Sequence, residues 1–111
     1  SLGIDASTAS QLLRNAETIV DDQLGLTSKA GGRKVAAFLP LIDEVKPATQ
    51  KQVEAAVAAQ FEIALKRKPT ADELKRFIAL HDKNVKTGGA VAGTRSTLMA
   101  VLVLPEAIFR M

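Results

Sequence analysis

His81 is the only histidine in this sequence, and it is the side chain whose ordinary titration falls nearest neutrality. Proton transfer, metal ligation and haem ligation would each start from it, and each requires partners. Asp82 adjoins His81 in the chain but stands about 100° around a helix from it, so the two groups do not converge on one point. Cysteine is absent, which removes thiolate metal sites, thiol nucleophiles, disulfides and covalent haem attachment together. Met99 or Met111 could join His81 as axial ligands of a noncovalent haem, because imidazole and thioether both bind haem iron. Methionine at helical spacing also serves as core filler, and no other ligand spacing surrounds this histidine. The neighbouring carboxylates Asp21-Asp22 and Asp43-Glu44 supply acid–base groups. Glycoside hydrolysis needs two carboxyl groups at a fixed separation, however, and adjacency in sequence does not set one. Solvated helix faces and helix ends account for both pairs. The sequence therefore assigns no catalytic, cofactor-binding or metal-ligating residue and no cofactor.

The basic residues gather in two places. Lys29, Arg33 and Lys34 flank Gly31-Gly32, but without the Gly-x-x-x-x-Gly-Lys-Ser/Thr spacing that cradles nucleotide phosphates. Lys66, Arg67 and Lys68 close an Ala-rich helix, where positive charge complements exposed carbonyl ends; an anionic partner is the alternative. Fifteen basic residues are nearly matched by 12 acidic ones, for a net charge of +3. Nucleic-acid binding is not expected, since no aromatic side chains accompany the basic clusters for base stacking. The apolar run Leu98 to Leu104 falls far short of the roughly 20 residues of a membrane span.

The elements that would position these groups are helices. In 111 residues with 47% hydrophobic and 24% charged side chains, there is material for one folded core. With four Phe and no Trp or Tyr, that core must be aliphatic and Ala-rich. Ser7 is placed to cap a helix from Ala9 to about Leu24, with Leu12, Ala16, Ile19, Val20 and Leu24 recurring at helical spacing on one face and Gly25 as the stop. The segment around Gly31-Gly32 reads as a loop. Pro40 divides Val35 to Val45 into a short helix, a break and a turn. Thr49 and Gln52 have capping-box spacing for a helix to about Leu65, with Val53, Val57, Phe61, Ala64 and Leu65 facing inward. Thr70 and Glu73 form a second box, and Leu74, Phe77, Ile78 and His81 then share one face. Gly88-Gly89 breaks this helix. A last long helix, Val91 to about Leu104, is apolar around most of its circumference and reads as central and buried, with a docking surface as the alternative. Pro105 opens a short terminal turn. The expected fold is all-α, an irregular or orthogonal bundle of four longer helices plus one or two short ones. Residues 1–111 form a single domain, expected to be a fragment of a larger protein, and the start of the chain lacks a signal peptide's charged and apolar regions.

Two blocks, Ala64-Leu65-Lys66-Arg67-Lys68-Pro69-Thr70-Ala71-Asp72-Glu73-Leu74 and Leu102-Val103-Leu104-Pro105-Glu106-Ala107-Ile108-Phe109-Arg110, together resemble a pattern in planctomycete proteins of unknown function. There, a helix and an R-x-P-T-x-x-E-L block precede a Gly-containing loop and an apolar helix ending in L-x-S-P-E-F-L-Y-R. The resemblance covers Val53 to Arg110. Leu104 stands where the pattern has Ser, and Ala107-Ile108-Phe109 where it has Phe-Leu-Tyr. The resemblance implies a bacterial, exported or periplasmic, multidomain parent that often carries a cytochrome c module, with no catalytic residue to carry over.

The expected function is a non-catalytic structural or protein-interaction module, whose partners are other domains of the parent or a separate protein. The alternative is a helical accessory part of a multidomain, redox-associated enzyme whose active site lies elsewhere. The second capping box gives the first test. Thr70→Ala is expected to lower stability by about 0.5–2 kcal/mol in equilibrium denaturation, and no change would mean that Thr70 is not the cap.

Overall fold

The computed structural model describes residues 5–27 and 33–109. Every regular element among them is helical, in the order α1 (Ala6–Gln23), a 3-10 helix (Ala36–Ile42), α2 (Gln50–Leu65), α3 (Ala71–Leu102) and α4 (Pro105–Ile108). None of these helices is long and apolar enough to cross a membrane. Gly89, at φ 89° and ψ 176°, divides α3 into two helical segments. Counted that way, four longer and two short helices match the expected all-α architecture.

Local chemistry sets most of the boundaries. Both capping boxes form: Thr49 Oγ1 accepts from the Gln52 amide while Gln52 Oε1 accepts from the Thr49 amide, and Thr70 and Glu73 make the same exchange at 3.1 and 2.8 Å. Gly25 adopts φ 70°, and the amides of Gly25 and Leu26 reach back to the carbonyls of Asp22 and Asp21. That Schellman closure satisfies the end of α1. At its start, α1 corrects the sequence expectation, because Asp5 rather than Ser7 is the cap. Asp5 Oδ1 accepts from the Thr8 amide at 2.8 Å, and a carboxylate also meets the positive end of the helix favourably.

Pro40 gives a second correction, since it lies inside the 3-10 helix instead of breaking it. The φ that proline fixes near −65° suits 3-10 winding, and one missing N–H costs a seven-residue helix a single bond. At three residues per turn, positions i and i+3 eclipse, so Phe38 and Leu41 are buried on one edge.

The core centres on α2, whose stripe of Val53, Ala56, Val57, Gln60, Phe61 and Leu65 is buried. It meets Val20 and Leu24 from α1, Phe38 and Leu41 from the 3-10 helix, and Leu98 and Val101 from the second segment of α3. Buried polar groups are paired within this core. Gln23 and Gln60 exchange reciprocal amide bonds at 3.0 and 2.9 Å, and Gln60 also donates to the Leu98 carbonyl. The last long segment is less central than its sequence implies, because Met99, Leu102 and Val103 are only partly buried.

Gly93 shows how sharply α3 reverses. In a straight helix, residues 85 and 93 would lie about 12 Å apart. A Cβ placed on Gly93 would instead sit 2.6 Å from both the Cα and the N of Val85. Two hydrogen bonds cross the same contact, from His81 to Thr94 at 3.2 Å and from Asn84 to Thr97 at 3.1 Å. Gly93→Ala is therefore expected to destabilise by about 1–3 kcal/mol through overpacking against backbone, outweighing alanine's helix preference of about 1 kcal/mol. Gly88→Ala, whose Cβ would meet only Ala92 Cβ at 3.4 Å, is expected to be neutral or stabilising. Chemical denaturation should show a loss of stability for Gly93→Ala and none for Gly88→Ala, and equal effects would contradict the reversal.

Candidate functional site

Among the described residues, two separate grooves on this scaffold share no lining residue. The first, about 470 Å³, lies between the 3-10 helix, the segment leading into α2, and the first half of α3. Leu41, Ala48, Val53, Ile78 and Val85 line it with apolar groups, while Asp43, Lys75 and Asp82 add charge and His81 lies among them.

His81 arrives there because it continues the Leu74, Phe77, Ile78 face of α3, and it is 8% exposed. Its environment fixes its tautomer. Thr94 Oγ1 donates its single proton to the Leu41 carbonyl at 3.0 Å, so the 3.2 Å contact with His81 requires Nε2 to carry a proton and donate. In the neutral ring, Nδ1 is then the acceptor. Burial pushes the His81 pKa down, and the nearby Asp82 charge opposes that only in part.

The acids near His81 are already engaged in folding. Asp43 Oδ1 accepts from the amides of Val45 and Lys46 at 2.8 and 3.0 Å, which lowers its pKa and closes the turn before α2. Asp82 pairs along the helix surface with Lys86 at 3.1 Å. Among the described residues, no group of three or more His, Asp or Glu side chains could hold a metal ion. Met99 packs on the core and does not line the groove. Met111, the other candidate haem ligand, lies outside the described residues, as do Lys29 and Gly31-Gly32.

Asp21, Asp22 and Arg67, also singled out in the sequence, find structural partners. Arg95 grips Asp21 with two guanidinium nitrogens at 2.6 and 2.8 Å and approaches Glu17 at 3.5 Å, tying α1 to α3. Asp22 Oδ2 accepts from the Arg33 amide at 3.3 Å. Arg67 is more than a charge at a helix end. It pairs with Glu73 at 2.8 and 2.9 Å and with Glu106 at 2.8 and 3.0 Å, and lies 5.5 Å from the centre of the Phe61 ring. The pairing with Arg67, helped by the Thr70 amide, holds the Glu73 carboxyl down at about 2.

The second groove, about 440 Å³, is formed by α1, the end of α2, and the chain from Leu102 to Ile108. Leu12, Ile19, Ile63, Leu102, Val103 and Ile108 give it an apolar lining. Ile19, on the apolar face that helical spacing marks in α1, is 47% exposed, and Ile63 is 42% exposed. Thr94, Asn84 and Thr97, which fix His81 and the α3 reversal, were not singled out from the sequence. Their signal was the shared i, i+3 spacing of His81 with Asn84 and of Thr94 with Thr97.

Comparison with protein-family models, curated proteins and solved structures finds no match to this chain.

The buried histidine carries a pH prediction. With its folded pKa below the unfolded value near 6.5, the unfolded chain binds more protons in mildly acidic solution. The stability associated with a neutral His81 is therefore complete above about pH 6.5 and is lost as pH falls from there toward the folded pKa. Glu73 acts lower, since its contribution is present above its ordinary 4.5 and is lost as pH falls toward about 2. Denaturation midpoints of the native chain should fall between pH 7 and pH 5. His81→Phe should flatten that interval and leave the lower one in place.

Proposed function

We propose that this chain is a non-catalytic helical interaction module that docks a protein partner in the groove between α1, the end of α2 and α4. The observation that carries the proposal is the pair of half-exposed isoleucines, Ile19 and Ile63, which lie in a groove with apolar side chains from three parts of the chain. Covering apolar surface of this kind favours association by about 25 cal/mol per Å² before the costs of binding are met. Among the described residues, Lys66 is the one charged side chain lining the groove. The complementary partner is an amphipathic helix with an apolar stripe and a carboxylate at its edge. Given the resemblance of Val53 to Arg110 to planctomycete domains, we extend the proposal to a larger, exported bacterial protein, in which the helix belongs to a neighbouring domain.

A second reading, an accessory part of an enzyme whose active site lies elsewhere, draws on the His81 groove. The engagement of Asp43 and Asp82 in a turn and a helix-surface pair favours the first reading.

A photo-crosslinking residue at Ile63, in cells that express the protein, should label one amphipathic helical segment carrying an acidic residue. The same residue at Val45, which is 92% exposed and lines neither groove, should not enrich that segment. Ile19→Glu should abolish the Ile63 product while circular dichroism stays unchanged. Equal labelling from Ile63 and Val45 would reject the docking groove.

A further inference from the structure

The first groove presents a directed hydrogen-bond chain with one open end. The Thr94 hydroxyl donates to the Leu41 carbonyl, and His81 Nε2–H donates to Thr94. Nδ1 is left as an acceptor with no hydrogen-bond partner among the described residues. No buried side-chain nitrogen or oxygen is left unpaired among them, so Nδ1 retains contact with the exterior, and the opening His81 lines is this groove. A residue more than nine-tenths buried thus offers a single lone pair in a groove whose aliphatic walls are joined by the charged side chains of Asp43, Lys75 and Asp82. The volume of about 470 Å³ falls within the range of small-molecule sites, which combine apolar walls with a few placed polar groups.

We propose that this groove binds a small neutral hydroxylic ligand, of the phenol or alcohol class, whose apolar body rests against Leu41, Val53, Ile78 and Val85 and whose O–H donates to His81 Nδ1. The polarity of the chain selects this class. A carboxylate would set a second acceptor against the Nδ1 lone pair, and a hydrocarbon would cover Nδ1 and leave it unpaired, which carries a desolvation penalty. A hydroxyl completes the sequence of donors from ligand to His81, Thr94 and Leu41. Desolvation of His81 keeps its ring neutral at pH 7, so the acceptor persists under ordinary conditions.

Phenol and toluene form the discriminating probe pair, since they are nearly equal in size and differ in the O–H. Nitrogen-15 NMR of the full chain should place the proton on Nε2 of His81. Phenol should then produce saturable shifts at His81 Nδ1 and at the methyls of Leu41, Val53, Ile78 and Val85. Toluene should bind about tenfold more weakly, the effect of one buried hydrogen bond. Ala79→Trp, at an exposed position lining the groove, should block phenol while leaving the His81 tautomer unchanged. His81→Phe should remove the preference for phenol over toluene. The proposal is overturned by equal affinity for the two probes, by a proton on Nδ1 in the free protein, or by shifts that do not saturate. Because the grooves share no lining residue, crosslinking from Ile63 should be indifferent to Ala79→Trp, and the two proposals fail separately.

Discussion

The reversal within α3 is the constraint on which the remaining structure depends. A straight α-helix of 32 residues would be about 48 Å long, longer than the 42 Å greatest extent of the molecule. Gly89 supplies a backbone conformation that side-chain-bearing residues seldom adopt, and Gly93 lets the second segment approach the backbone of Val85. With the chain turned back, Leu98 and Val101 enter the core beside the α2 stripe, and Thr94 and Thr97 meet His81 and Asn84. The Thr94 hydroxyl carries the same contact on to the 3-10 helix. One reversal therefore contributes to both the aliphatic core and the polar wall of the first groove.

Arg67 has a different standing. Its guanidinium joins the start of α3 to α4 through Glu73 and Glu106, and so links the two sequence blocks noted at the outset. The Arg67 and Glu106 side chains are both a third or more exposed, and ion pairs of that kind contribute only about 0.2–1 kcal/mol. Phe61, just beneath, is fully buried and packs edge-on against Phe77, and burial of such a ring contributes about 1.5–3 kcal/mol. Burial thus holds this corner together, and the forked guanidinium fixes how its pieces are oriented. That division matters for the second groove, since α4 supplies one of its walls.

Features that depend on neighbours in sequence were legible. Both capping boxes, the Gly25 stop and the change of direction at Gly89 each rest on residues within a turn or so of the boundary they set. Ser7 loses the cap because Asp5 competes for the same helix start, with a charge as well as an acceptor. The break assigned to Pro40 assumed α-helical winding, whereas a 3-10 turn accommodates the ring. Ile19 shows the opposite limit. Its spacing with Leu12, Ala16 and Val20 marks one apolar face, yet periodicity does not say how much of that face another helix covers. His81 was visible as a singular residue, but its tautomer depends on Thr94 and on the carbonyl of Leu41, which lies 53 positions before Thr94.

By itself, the sequence determined the helices, most of their ends and the all-α class, because capping, glycine geometry and 3.6-residue periodicity act over a few residues at a time. It also withheld thiol chemistry by containing no cysteine. Only the tertiary structure decided that α2 would be the hub, that Arg67 would bridge Glu73 and Glu106, and that Ile19 and Ile63 would remain half exposed. It alone turned His81 into a neutral acceptor at the edge of an apolar groove. Those outcomes depend on which side chains meet across long chain separations, and that is settled by packing α3 back upon itself.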